Sequence, residues 1–179
     1  ALHEAQQAYR VSQLTATVIK NTGAAAWTSV GQVDALAQSL SNMTGIDDEL
    51  IQAGSNVLLS FSNIRNAGTG AAAVFDRATT AATDMAAALT TDPATAAKML
   101  GKALADPTKA TRALRSAHIQ LTASQQEQIK SMQAQGNLLG AQQVVLSAVE
   151  GRFKGAGKAM ADPMTRINTI MNNMLETLG

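Results

Sequence analysis

The chain has no cysteine, which excludes disulfides, thiolate zinc sites and thiol nucleophiles and leaves its redox compartment unspecified. Aromatic residues are only 3% of it, so the apolar content, 46%, lies mostly in small side chains and makes a thin core. Prolines number three in 179 residues. With alanine, the strongest helix former, so frequent, this points to helix nearly throughout and little or no strand. An excess of one charge is also lacking: 14 basic residues face 13 acidic ones, and a net charge of +1 supplies no overall field toward nucleic acid or an anionic membrane. No window approaches the ~18 uninterrupted apolar residues of a membrane span, and the amino end lacks both parts of a signal peptide. The length suits one compact domain with a real core. The chain begins Ala1-Leu2-His3-Glu4 inside a helical pattern and ends at Gly179 just after another, and we read it as a soluble piece of something longer.

What is present is helical punctuation. Leu2, Ala5 and Tyr9, then Val11, Leu14 and Val18, repeat at helical spacing until Asn21-Thr22-Gly23, a leading helix over residues 1–23. Ser29 and Gln32 have capping-box spacing and open a helix with Val33, Leu36, Leu40 and Met43 on one face, stopped at Thr44-Gly45. Asp47-Asp48-Glu49 put negative charge on the first turn of a third helix, where the macrodipole favours it, with Leu50, Val57, Phe61 and Ile64 as its expected stripe. After a loop at 66–70, Phe75, Ala78, Ala82, Met85 and Leu89 form a narrow stripe. All three prolines follow aspartate, at Asp92-Pro93, Asp106-Pro107 and Asp162-Pro163, so each pair marks a helix start. The heptapeptide GKALADP at 101–107 recurs as GKAMADP at 157–163 without matching flanks, which favours reuse of one helix-end chemistry over duplication.

The stretch LTASQQEQIKSMQAQGNLLGAQQ, residues 121–143, holds seven glutamines. Thr122 and Gln125 again have capping-box spacing, Leu121, Ile129 and Met132 are apolar, and Gly136-Asn137 is a stop. Val145, Leu146, Val149 and Phe153 then line a second helix, so the two should pack as an antiparallel hairpin with the glutamines on the remaining faces. Residues 28–154 thus read as a helical domain, and residues 162–179 as a terminal amphipathic helix leading out of it. In that helix Met164, Ile167, Met171, Met174 and Leu178 occupy heptad a and d positions over about two heptads, a seam that serves either a partner helix or the core of this domain. The expected fold is all-α: about eight short-to-medium helices in antiparallel hairpins, the terminal ones extending into coiled coil.

Residues with chemistry are sparse. His3 and His118 have no second ligand at i+3 or i+4, no spacing singles out a general acid and base, and no G-x-S-x-G occurs. Gly68-Thr69-Gly70 before Ala73 mimics a dinucleotide loop, but follows a helix rather than a strand, and residues 151–158 miss the phosphate-loop spacing. We therefore expect no enzymatic activity, catalytic residue, cofactor or metal. Lys98, Lys102, Lys109, Arg112 and Arg115 form a local basic band, read as a solvated helical face with nucleic acid contact as the weaker reading.

Residues 99–153, MLGKALADPTKATRALRSAHIQLTASQQEQIKSMQAQGNLLGAQQVVLSAVEGRF, resemble the tail length tape measure proteins of long-tailed bacteriophages and prophages. That family commonly carries the pattern LGKALxDPxKxLxALRRxGxxFTxxQxEQIKxLxxxGxxxGAQxxILxELExxFGG. Its positions here include Gly101, Lys102, Asp106, Pro107, Gln128, Ile129, Lys130, Gly136, Gly140, Ala141 and Gln142. Residues 33–66 resemble the region that precedes this block in the family. Departures fall where Ala110 stands for a frequent glycine, His118 for a small residue or glycine, and Lys154-Gly155-Ala156-Gly157 for a glycine pair. The resemblance implies a virion structural protein that sets tail tube length and leaves the tube ahead of DNA at infection. It also implies several side-by-side copies, three by the common view, and partners among tail tube, tail tip and tail assembly chaperone proteins. The location implied is the tail lumen, with the host cytoplasm during assembly. An envelope- or membrane-interacting helical module that assists DNA passage, or a generic helical adaptor, is the alternative.

Overall fold

The computed structural model describes residues 2–178, and of Leu178 the backbone alone. Helix α1 (Leu2–Thr22) ends at Gly23, whose φ of 73° is a left-handed conformation that costs glycine nothing. Ser29 starts α2 (Val30–Thr44) by accepting the Gln32 amide at 3.3 Å, and Gly45, again left-handed, ends it. Asp47 then accepts the Glu49 amide at 3.1 Å to cap α3 (Asp48–Leu59). The loop beyond it closes through an isolated bridge between Asn66 and Ala73, after which α4 (Val74–Leu89) begins. Asp92 caps α5 (Pro93–Ala105), accepting the Thr95 amide at 2.9 Å. A 3-10 turn (Pro107–Lys109) and the four-residue α6 (Ala110–Ala113) follow.

Thr122 and Gln125 exchange both bonds of a capping box at the start of α7 (Ala123–Ala134). Gly136 turns the chain, and Asn137 accepts the Gly140 amide at 2.9 Å to open α8 (Leu138–Phe153). The five-residue α9 (Ala156–Met160) leads to α10 (Pro163–Leu178), where Asp162 accepts the Thr165 amide. Eight helices reach twelve residues or more, and no strand occurs among the described residues, so the chain is an all-α multi-helix domain.

Helix α4 is the centre, packed by α3, α5, α8 and α9. The narrow stripe expected for it is therefore too narrow: Ala81, Thr83, Asp84 and Ala86 are buried alongside Phe75, Ala78, Ala82 and Met85, as befits a helix packed on several sides, with Asp76 left on its open face. Small residues let neighbours approach. At the crossing of α3 and α5, a side chain at Gly54 would meet the Pro93 carbonyl at 3.0 Å, and one at Gly101 would overlap the ring of Phe61. Trp27 meets Phe75 edge to face at 5.2 Å, an aromatic anchor in a core otherwise rich in alanine, leucine and valine.

Several expected stripes are rotated. In α1 Leu2, Ala5, Tyr9 and Leu14 face outward, while Thr15 and Ile19 are buried against α3 and the core. In α2 Met43 is exposed and Ala37, Ser41 and Thr44 are buried beside Val33 and Leu40, and in α3 Leu50 is exposed and Ile51 buried. Small and hydroxylated residues complete these faces, and a count of large apolar residues passes over them. Helix α3 also stops at Leu59, so Phe61 and Ile64 pack from the following loop.

Of the Asp-Pro pairs, Asp92 and Asp162 cap as expected. Asp106 instead bonds the Thr108 hydroxyl and the Lys109 ammonium, with no amide capped by its side chain, and the helix it starts is a 3-10 turn leading into the short α6. The repeated heptapeptides end α5 and α9, each with its glycine wedged against another element: Gly101 beneath Phe61, and Gly157 where an added methyl would lie 2.7 Å from the Thr44 methyl.

Candidate functional site

Helix α10 docks with its polar face inward. Asn173, buried, donates to Asn42 Oδ1 at 2.9 Å and Ser41 Oγ at 3.3 Å on α2, and Thr169 donates to the Gly45 carbonyl at 3.3 Å. The opposite face is apolar and outward: Met164 is 63% exposed, Ile167 53%, Met171 56% and Met174 60%, with Leu175 beside them. The side chain of Leu178 lies outside the described residues. Of the two readings of this spacing, the core-packed one does not hold for these four residues: their heptad seam faces solvent.

The block 99–153 spans α5 to α8, and its pattern positions divide by role. Ile129, Gly140, Ala141, Pro107 and Gly101 are buried, and Gly136 has φ 70°. At Gly140 an added methyl would lie 2.5 Å from Asn137 Nδ2 and 3.0 Å from Met132 Sδ, so glycine is needed where α7 and α8 meet. Lys102, Gln128 and Lys130 are exposed. Gln142 departs from the expectation that glutamines cover outer faces. It is 2% exposed, and its Nε2 donates to the carbonyls of Asn63 at 2.9 Å and Leu104 at 3.1 Å, joining α8 to the ends of two other segments. His118 sits at φ 55°, a left-handed residue closing a short 3-10 turn (Arg115–Ala117).

The basic band is not one solvated helix face. Lys98 and Lys102 lie on α5, Lys109 on the 3-10 turn and Arg112 on α6, and together they surround a groove of about 630 Å³ floored by Phe61, Met99, Ala105 and Ala113. Arg115 lies outside its lining. Lys109 is paired with Asp106 at 2.8 Å; Lys98, Lys102 and Arg112 have no ion pair with any described residue.

Beside the foot of α10, the carboxylates of Asp47, Asp48 and Glu49 lie within 4.8 Å of one another, with Glu4 and Glu176 lining the same recess. Burial, then a hydrogen bond with the Asp47 carboxylate and the charges of Asp47 and Asp48, pushes the Glu49 carboxyl up to about 8. Burial also raises Asp48, and burial with the charge of Asp48 raises Glu176. Asp48 and Glu49 lie in the first turn of α3 as expected, with Asp47 as its cap, and Glu49 is turned inward.

Two further polar anchors were not read from the sequence. Asp84, 7% exposed on α4, accepts the amides of Gly155 at 3.0 Å and Gly157 at 2.9 Å and so holds α9 to the body. Arg77 and Glu150 form a two-point ion pair at 2.9 Å between α4 and α8. Their partners are about seventy residues away in sequence, which leaves no local signal. Gln142 did have one: with Leu146, Val149 and Phe153 it falls on the buried stripe of α8.

Compared with protein-family models, curated proteins and solved structures, the chain matches none. What the arrangement offers is recognition between surfaces: an outward apolar helix face, a cation-rimmed groove, and an acidic recess in which burial raises the Glu49 carboxyl.

Proposed function

We propose that the chain is a folded helical part of a tail length tape measure protein, a non-enzymatic virion component of a long-tailed phage or prophage. The observation that carries the reading is that the block resembling the family is built on its pattern positions. Gly101 and Gly140 stand where a side chain would collide, Gly136 takes the turn, and Gln142 ties three segments together. The departure at His118 supports it as well, because the residue there is left-handed, a conformation that the glycine of the family pattern adopts at less cost than any residue with a side chain.

Copies lie side by side through the seam of α10. Met164, Ile167, Met171 and Met174 form an exposed apolar stripe on a helix already held in place by its polar face, ready to receive the same helix of a neighbour. Light scattering after size exclusion tests this: an oligomer that becomes a monomer on Met171→Glu with Met174→Glu supports the seam, and a monomer in both cases removes it. The tape measure reading itself is tested by mass spectrometry of purified tails before and after ejection. The chain should be present in filled tails and lost from emptied ones, and retention in emptied tails would refute it.

The same exposed face is what the alternative, an envelope-interacting module, would use. It is the weaker reading, because a helix lying in a membrane interface carries lysine and arginine along its polar face and α10 has only Arg166. No helix among the described residues is long and apolar enough to cross a membrane. Leakage of anionic liposomes caused by the chain would reverse this order.

A further inference from the structure

We infer that the groove between α5 and α6 is a docking site for an acidic amphipathic helix of a partner protein. Its floor is apolar, with Phe61 and Met99 both partly exposed. The ring lies against α5 only because Gly101 has no side chain. Its rim is cationic, from Lys98, Lys102, Lys109 and Arg112. Lys98 and Lys102, four residues apart on one helix, repel each other, and neither has an acidic partner among the described residues. The one carboxylate on the rim, Asp106, is already taken by Lys109. The folded chain thus leaves about three positive charges uncompensated around an apolar slot, while its own acidic cluster lies at the other end of α3, ~20 Å away by helix rise.

An occupant must therefore be apolar on one side and acidic along its flanks. A helix presenting leucines at i, i+3 or i+4 and i+7, with glutamates between, meets both demands over two turns, ~10 Å. Helix α10 of another copy does not, because its face is apolar but carries a single acidic residue, Glu176. Nucleic acid would engage the cations but leave Phe61 and Met99 against a polar backbone, and Phe61 alone is no stacking platform.

The test uses the full isotope-labelled chain and three probes: a Leu/Glu amphipathic peptide of about sixteen residues, its Leu/Lys counterpart, and an oligothymidylate of similar length. The acidic peptide should shift the amides of α5, α6 and Phe61 with a Kd of ~10–100 µM. Lys102→Glu with Arg112→Glu, both exposed, should weaken it ~10-fold or more without changing the circular dichroism, and Phe61→Ala should weaken it similarly. The lysine peptide should leave these amides unmoved. No shift at ~1 mM acidic peptide, equal binding of the two peptides, or oligothymidylate binding tighter than the acidic peptide and indifferent to Phe61→Ala would each overturn the inference.

Discussion

Replacing Gln142 by leucine keeps a side chain of comparable bulk but removes the one amide that serves two carbonyls. Leu104 is fully buried and its carbonyl, in the last turn of α5, has no helical amide to accept from, so losing Gln142 Nε2 leaves a buried orphan that costs about 2 kcal/mol. The Asn63 carbonyl lies beside a small surface recess where water can reach it, so its share falls to roughly 1 kcal/mol. The sum, about 3 kcal/mol, is a large part of the roughly 5–15 kcal/mol that holds a domain together and corresponds to a fall in Tm of ~6–12 °C at this chain length. Urea denaturation followed by circular dichroism measures it, with an unchanged m value showing that the unfolding reaction is the same. Gln143→Leu is the control, since that neighbour donates only to the exposed loop carbonyl of Ala71 at 3.1 Å and should cost ~0.5 kcal/mol or less. If the two variants are equally stable, Gln142 is not a structural tie and its place in the family pattern has no mechanical reason.

Asp84→Ala removes the acceptor for two backbone amides and should cost about 2–4 kcal/mol. Fast hydrogen exchange at Gly155 and Gly157 alone would show that only α9 and α10 come loose, and exchange unchanged from the parent would refute the anchoring role. Gly54→Val should destabilise by ~2 kcal/mol or more, because the contact it presses on is the Pro93 backbone and not a movable side chain; a Tm equal to the parent's would show that α3 and α5 can part freely. The chain should become more stable as pH falls from about 8 toward 4.5, since Glu49, ordinarily at 4.5, holds its proton up to about 8 when folded. In that window the folded state binds more protons than the unfolded one, which is the reverse of a salt-bridged carboxylate; the gain is roughly 2 kcal/mol after allowance for solvent in the recess. Glu49→Gln should flatten this slope, and a slope of the same size in the variant would place it elsewhere.

Local chemistry carried most of the fold into the sequence. Ser29, Asp47, Asp92, Thr122 and Asp162 act within three residues of themselves, so their caps and the glycine stops could be read without knowing the packing. Facing was less legible. A helix such as α1 is oriented by Thr15, which accepts from Gln52, as much as by its larger apolar residues, and a threonine does not announce itself as buried. The groove was half visible: its cations stand together in sequence, but Phe61, which makes it apolar, comes from about forty residues earlier and reaches them only through the glycine contact between α3 and α5. The seam of α10 was visible as a spacing. That it faces outward depends on Asn173 finding Asn42 and Ser41, a pairing across about 130 residues that no local pattern shows.

Whether such a domain measures length turns on how much tail each residue spans. As one uninterrupted helix the chain would reach ~270 Å at 1.5 Å per residue, whereas a compact body of this size is ~40 Å across. The longest helix here, α1, has 21 residues and covers ~32 Å, and five glycines in left-handed turns interrupt what could otherwise be continuous helix. Side-chain caps follow two of those turns, Asp47 after Gly45 and Asn137 after Gly136, and Gln142 and Asp84 tie the segments across the core, so stretching the chain means unfolding it. On the proposed reading the domain is thus carried by the tape and is not ruler itself. An in-frame deletion of residues 28–154 from the parent protein separates the two cases by tail length in electron micrographs. A folded domain predicts shortening of ~40 Å or less, and loss of ~190 Å, the full helical rise of the deleted residues, would show that it unravels inside the tail and counts as ruler after all.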